Sequence, residues 1–260
     1  DLFQTLYLML LIFYVSIYSY LHYKILMESN LPATEESYPS IKQIDHLDTK
    51  AAFELMLEDQ MKVYQAIRKN EKIILQLVNY LSKHFSKFKR GRLIYCGAGT
   101  SARIGVQDGV ELLPTFGWPS SRVDFIIAGG KKALLRSIEN SEDDLNQARE
   151  FFEKKKINSN DIVIGIAASG NTAFTNEILR LSFKNNIKTV AISNNPDGKI
   201  LKKADFRIIL DTKEEVVAGS TRLKAGTAQK ICLNIISTLL MTNLGKVKNG
   251  MMVNMIPSNK

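Results

Sequence analysis

Short, mostly apolar runs alternate with stretches of helical spacing from Arg92 onward. The runs Leu93–Cys96, Val123–Ala128, Ile162–Ala167, Thr189–Ser193 and Phe206–Leu210 predict short buried strands. Helices are predicted over about Arg103–Leu112, Lys132–Glu139, Asp143–Lys155, Phe174–Lys184 and Leu223–Leu244. Regular β-α alternation places the chain in the α/β class, with a doubly wound, mostly parallel sheet and helices on both faces. Upstream, Asp48 can cap a helix from Thr49 to about Lys69, on which Phe53, Met56, Leu57, Met61 and Tyr64 form an apolar stripe. A second helix, Glu71–Phe85, turns Ile73, Ile74, Leu77, Val78 and Leu81 inward. These two make a helical N-terminal extension whose stripes read as core or as a dimer face.

The start of the chain has a different pattern. Leu2 to Tyr23 carries no Lys, Arg, Asp or Glu and is long enough to span a bilayer. It lacks the basic region and cleavage site of a signal peptide. With Asp1 first and a polar start after Met27, residues 1–26 read as lying upstream of the true start; the alternative is a membrane anchor. Residues 27–82 form an arm, extended around Pro32 and Pro39, and the two helices. Residues 83–246 form the sheet domain, and 247–260 a tail without further elements.

Composition narrows the chemistry. The 260 residues are 45% hydrophobic, and 35 Lys and Arg against 26 Asp and Glu give a net charge of +9. That surplus reads first as a solvated lysine-rich surface and second as attraction for an anionic substrate. Nucleic acid is excluded as a partner, because no basic patch interleaved with aromatics and no zinc spacing accompanies it. Cys96 and Cys232 read as buried thiols and point to a reducing, cytoplasmic setting. His22, His46 and His84 form no metal pattern, so no metal and no catalytic histidine is expected.

Two turns stand out. Gly97-Ala-Gly-Thr-Ser101 joins the first strand to a helix, and Ala168-Ser-Gly-Asn-Thr172 does the same after the third. A strand leading through a Gly-rich turn into a helix N-terminus gathers free N–H groups at the positive end of a helix dipole, which suits an anion. Gly97 to Ala102 also fits a loose dinucleotide fingerprint. No acidic residue ends the next strand, where Ala128-Gly-Gly-Lys-Lys132 stands, so only an NADP version of that reading survives. The second turn, rich in hydroxyls, has no place in a dinucleotide fold and suits one phosphate. A third stretch, Ala218 to Gln229, puts Arg222 and Lys224 at a helix N-terminus, where positive charge is best tolerated beside an anion.

The motifs GAGTSARIG, PTFGW, IAGGKKALLRSIENSEDD, GIAASGNTAF and AGSTRLKAGTAQK, in that order, resemble the N-acetylmuramic acid 6-phosphate etherase family over roughly Ile44 to Pro257. The last motif is shared with a relative, the glucokinase regulatory protein. The resemblance implies the sugar isomerase (SIS) fold and a cofactor-free lyase of cell-wall amino sugar recycling. Such an enzyme removes D-lactate from N-acetylmuramate 6-phosphate and leaves N-acetylglucosamine 6-phosphate. It also implies a homodimer whose site is completed across a two-fold interface. On the matching positions, Glu111 is the acid that protonates the departing lactyl oxygen and Glu142 the base that removes the C2 proton. Gly99, Thr100 and Ser101 of the first turn, Ser169, Gly170, Asn171 and Thr172 of the second, and Ser220 and Lys224 of the third would hold the phosphorylated amino sugar. Glu111 precedes an apolar Leu112-Leu113-Pro114, whereas Glu142 has acidic neighbours in Glu139, Asp143 and Asp144.

The sequence departs from the family pattern at Ala102, where glycine is usual, and at Leu112-Leu113, where Cys-Pro is usual. Asn171 and Ala173 replace the usual Arg and Pro of the second turn, and the family's C-terminal helical domain is not contained in this sequence. Two other readings follow from these departures and from the fold: a phosphosugar-binding regulatory protein with weakened catalysis, and an aldose–ketose phosphosugar isomerase.

Overall fold

The computed structural model describes residues 31–39 and 43–253. Five parallel strands, β1 (Leu93–Gly97), β2 (Val123–Ile127), β3 (Ile162–Ala167), β4 (Lys188–Ser193) and β5 (Phe206–Ile209), form one sheet in the order β2-β1-β3-β4-β5. All five apolar runs became strands because each has side chains to bury on both faces. One face takes α3 (Glu71–Lys87), α4 (Gly99–Val110) and α8 (Lys224–Asn243), which close over Tyr95, Ile164, Ile166 and Ile192. The other takes α6 (Leu145–Lys154) and α7 (Ala173–Lys184), over Ile94, Cys96, Val163 and Ala191. The fold is therefore the expected doubly wound α/β sandwich. Both cysteines are buried as free thiols, and burial pushes them up, Cys232 to about 12, so neither is a nucleophile.

The sheet edge away from the turns is fastened by Arg92, whose Nη2 lies 2.7 Å and Nε 3.1 Å from the carboxylate of buried Asp161. That fork joins the starts of β1 and β3. On the outer layer, Glu177 of α7 accepts from Arg180 at 2.7 and 2.9 Å and from Arg149 of α6 at 2.8 Å. Hydrogen bonds from Arg180, opposed by burial and reinforced by Arg149, hold the Glu177 carboxyl at about 2, against an ordinary 4.5. A depressed carboxylate stabilises the fold above its unfolded value, and that stability is lost as pH falls toward the folded one. Both arginines are roughly half exposed, so Glu177→Gln is expected to cost about 1–2 kcal/mol at pH 7 rather than the full shift. In melting curves the gap between variant and parent should close between about pH 4.5 and pH 2.

Several expectations need correction. The first upstream helix is two, α1 (Thr49–Gln60), capped by Asp48 as expected, and α2 (Lys62–Arg68), interrupted at Met61. Its apolar stripe faces outward: Phe53, Leu57, Met61 and Tyr64 are 60%, 55%, 73% and 68% exposed, while Asp59, Val63 and Ala66 are buried. The helix expected over Lys132–Glu139 is only a 3-10 turn, Gly130–Leu134. Gly129, Gly130 and Asn140 have positive φ, and the carbonyls of Ala133, Leu134 and Arg136 are taken by Arg103 instead of by helical N–H groups. A one-turn helix not foreseen, α5 (Leu112–Phe116), follows α4, and the tail holds a small hairpin, β6 (Val247–Lys248) with β7 (Met251–Met252). The apolar N-terminal tract lies outside the described residues.

Candidate active site

β1 and β3 are neighbours in register, Gly97 opposite Ile166, although β2 lies between them in sequence. Their connections leave on opposite faces, so the crevice between them, beyond the strand ends, is the topological switch point where α/β sheets bind ligands. Both Gly-rich turns open there. Helix α4 begins inside the first turn, four residues earlier than its hydrophobic spacing suggested, with Gly99 at φ 51°. Ser101 is buried in its first turn, and the Thr100 methyl lies 3.4 Å from where a Cβ at Gly226 would be, which joins this turn to the start of α8.

The second turn is held from below by β4. A Cβ on Gly170, whose φ is 71°, would lie 2.4 Å from the Gly198 Cα and 2.5 Å from Ser193 Oγ, so only glycine lets the two loops touch. Asn195 donates Nδ2–H to the Ser169 carbonyl at 3.3 Å, and the Lys199 N–H reaches Asn171 Oδ1 at 3.3 Å. The Asn171 N–H meets Ser169 Oγ at 3.2 Å. Thr172 is the N-cap residue of α7, and its hydroxyl makes no capping bond. Of the two residues that carry this arrangement, Ser193 was expected only as the end of the fourth strand, and Asn195 lies in the loop that follows it.

Glu142 sits between the two turns. Its Oε1 lies 3.3 Å from where a Cβ at Gly99 would be, so the absence of a side chain there admits the carboxylate. Its carbonyl accepts from the Phe174 N–H at 2.9 Å, which ties it to the first turn of α7. A carboxylate here can take a proton from a sugar whose phosphate rests on the adjacent N–H groups. Glu111 is elsewhere: it follows the last residue of α4, about 18 Å of helix rise from Gly99. Its side chain is exposed, because Leu112 turns into the core without covering it. One chain therefore does not bring the two carboxylates together.

Lys224 does not join the site. Its side chain has no exposure, and its ammonium lies 2.8 Å from Asp59 Oδ1 and 2.5 Å from the Glu214 carbonyl. The anion expected at the start of α8 is the chain's own Glu215, which accepts from the N–H groups of Lys224 and Ala225 at 3.1 and 2.8 Å. Burial raises the Glu215 carboxyl above its ordinary value, and those two N–H groups pull it down. Ser220, half-buried one turn ahead of α8, accepts from Leu223 N–H through its carbonyl at 3.1 Å. The Asp59 partner carries no signal in the sequence, since it lies 165 residues away on a helix whose apolar stripe points elsewhere.

Comparison with known proteins agrees with this fold. Residues 72–182 match the family model for the glucokinase regulatory protein N-terminal SIS domain. The N-acetylmuramic acid 6-phosphate etherase of Psychromonas ingrahamii is 41% identical over 226 residues, 87% of this chain and 75% of that protein. That of Listeria welshimeri is 43% identical over 228 residues, 88% and 76%. Among solved structures, the Vibrio vulnificus NanR protein complexed with ManNAc-6P shares the fold, with a TM-score of 0.53 and 14% identity over 74% of this chain and 63% of that one. Identity above 40% across three quarters of the relatives' length, on a SIS sheet with both turns at its switch point, makes this chain a member of the N-acetylmuramic acid 6-phosphate etherase family.

Proposed function

We infer that the protein cleaves the lactyl ether of N-acetylmuramate 6-phosphate, acting as a carbon–oxygen lyase in cell-wall amino sugar recycling. The observation that carries the assignment of the base is the Glu142 carboxylate lodged against Gly99, between two phosphate-type turns, in a chain of this family. The sugar phosphate rests on Ser169, Gly170, Asn171 and Thr172, with Ser101 and Thr100 alongside. In the ring-opened sugar the C2 proton is acidified by the neighbouring aldehyde. Glu142 takes that proton, and the electron pair becomes the C2–C3 double bond as the C3–O bond breaks. The departing oxygen leaves as the hydroxyl of D-lactate once an acid has protonated it, since an alkoxide is a poor leaving group. Water then adds at C3 of the unsaturated aldehyde, giving N-acetylglucosamine 6-phosphate. Incubation with N-acetylmuramate 6-phosphate should release D-lactate; C2 exchange with solvent deuterium without lactate would mark an isomerase, and binding with neither a regulatory protein.

The acid is Glu111 of a second copy. The outward stripe of α1 and α2 continues into an apolar groove of about 550 Å³ between α2, α3 and α8, walled by Met61, Tyr64, Leu75, Ile231 and Ile235. A second chain on this side of the sheet, related by a two-fold axis, buries that groove and lays its α4 end over the first chain's crevice. The two buried free thiols accord with a reducing cytoplasm, and among the described residues no helix is long and apolar enough to cross a membrane.

A further inference from the structure

Glu142 is the last residue of a segment with little structure of its own. Between Gly130 and Glu142 there is one 3-10 turn; Ala133 is buried, Leu134 and Ile138 are half-buried, and Leu135 is 91% exposed. The segment is pinned where the chain enters it, by the Gly129 N–H on Gln147 Oε1 at 2.7 Å, and at its end, by Phe174 on the Glu142 carbonyl. Its middle is held by Arg103. The guanidinium donates Nε–H to the carbonyls of Ala133 and Leu134, both at 3.2 Å, and Nη2–H to those of Ala133 at 3.0 Å and Arg136 at 3.2 Å. Among the described residues no other side chain from outside the segment donates to it. Arg103 stands one helical turn after Gly99, the residue whose missing Cβ leaves room for the Glu142 carboxylate.

We propose that Arg103 is a positioning residue for Glu142: its fork holds the 130–142 segment against α4 and so sets the approach of the base to the sugar's C2. This rests on the reading of Glu142 as the base. A planar fork with fixed donor directions can serve three carbonyls at once, whereas a lysine ammonium on a flexible stem holds them without that geometry. Displacing a catalytic group by about 1 Å costs on the order of 10²-fold in rate.

The test compares the full chain with Arg103→Lys and Arg103→Met. Lactate release should fall about 10²-fold in kcat for Arg103→Met and less for Arg103→Lys, with KM for N-acetylmuramate 6-phosphate changed by less than about threefold. C2–deuterium exchange should fall in parallel with lactate release. Amide hydrogen exchange across residues 131–142 should quicken by about tenfold or more in both variants while β1 and β3 stay protected. Should Arg103→Met fail to fold, Arg103→Lys alone decides. Unchanged amide exchange in that segment, or kcat per folded protein within about threefold of the parent, would overturn the proposal. A raised KM with kcat intact would also overturn it and put the guanidinium on the substrate instead. A parent protein that released no lactate would overturn the functional reading, and amide exchange would still decide whether Arg103 holds the segment.

Discussion

Glu142→Gln should abolish both D-lactate release and exchange of the C2 hydrogen with solvent deuterium, each by about 10²–10⁴-fold, the usual worth of a general base. The amide keeps the size of the carboxylate beside Gly99 but cannot take a proton. Glu111→Gln should lose lactate release to a similar extent and yet keep measurable C2 exchange, because the base survives. The distance along α4 adds a sharper consequence. If the acid comes from a second copy, a mixture of the two inactive variants regains activity once subunits exchange. Half of the dimers are then mixed, and each mixed dimer has one intact site, so recovery should approach about one quarter of the parent rate. No recovery, with light scattering showing subunits that do exchange, would place both carboxylates in one chain. Lactate release unaffected by Glu142→Gln would remove Glu142 as the base even within an active etherase.

Lys224→Met should unfold the protein more readily rather than weaken its grip on substrate. The ammonium is wholly buried against Asp59, and breaking a buried ion pair from one side costs about 3–5 kcal/mol. The cost should fall near the lower end, because Lys62 also lies 3.0 Å from the same Asp59 oxygen and can keep part of the pairing. Removing both partners, as Lys224→Met with Asp59→Leu, should recover most of the loss, since no unpaired charge remains. Urea melts of the parent and the two variants read this directly. Normal stability together with lost affinity for the phosphosugar would return Lys224 to the substrate site that its motif suggested.

The elements that came from the sequence unaided were those built on strong local patterns. The five strands were legible because each run is apolar at successive positions, which only burial on both faces satisfies. The two turns were legible because Gly99 and Gly170 sit where a strand must turn sharply into a helix. Boundaries were less secure: α4 starts inside its own turn, because Gly99, Thr100, Ser101 and Ala102 carry no apolar periodicity. The candidate base and acid were legible through motif resemblance alone, since an exposed glutamate in a loop leaves no physical trace in a sequence.

What needed the tertiary structure were the interactions that close over long separations. Residues 132–139 have a helical pattern, but Arg103 takes the carbonyls that a helix would use. The anion that the start of α8 calls for is Glu215, and the partner of Lys224 is Asp59, so a motif that reads as ligand-binding is partly occupied by the chain's own charges. Residues 49–69 show a stripe that spacing alone could not assign to core or surface; packing sends Val63 and Ala66 inward and leaves the larger side chains outside. Local periodicity fixes which segments can be strand or helix, because it is set by backbone geometry over a few residues. Which charges meet, and which apolar faces are left exposed, depends on where distant segments arrive when the sheet closes.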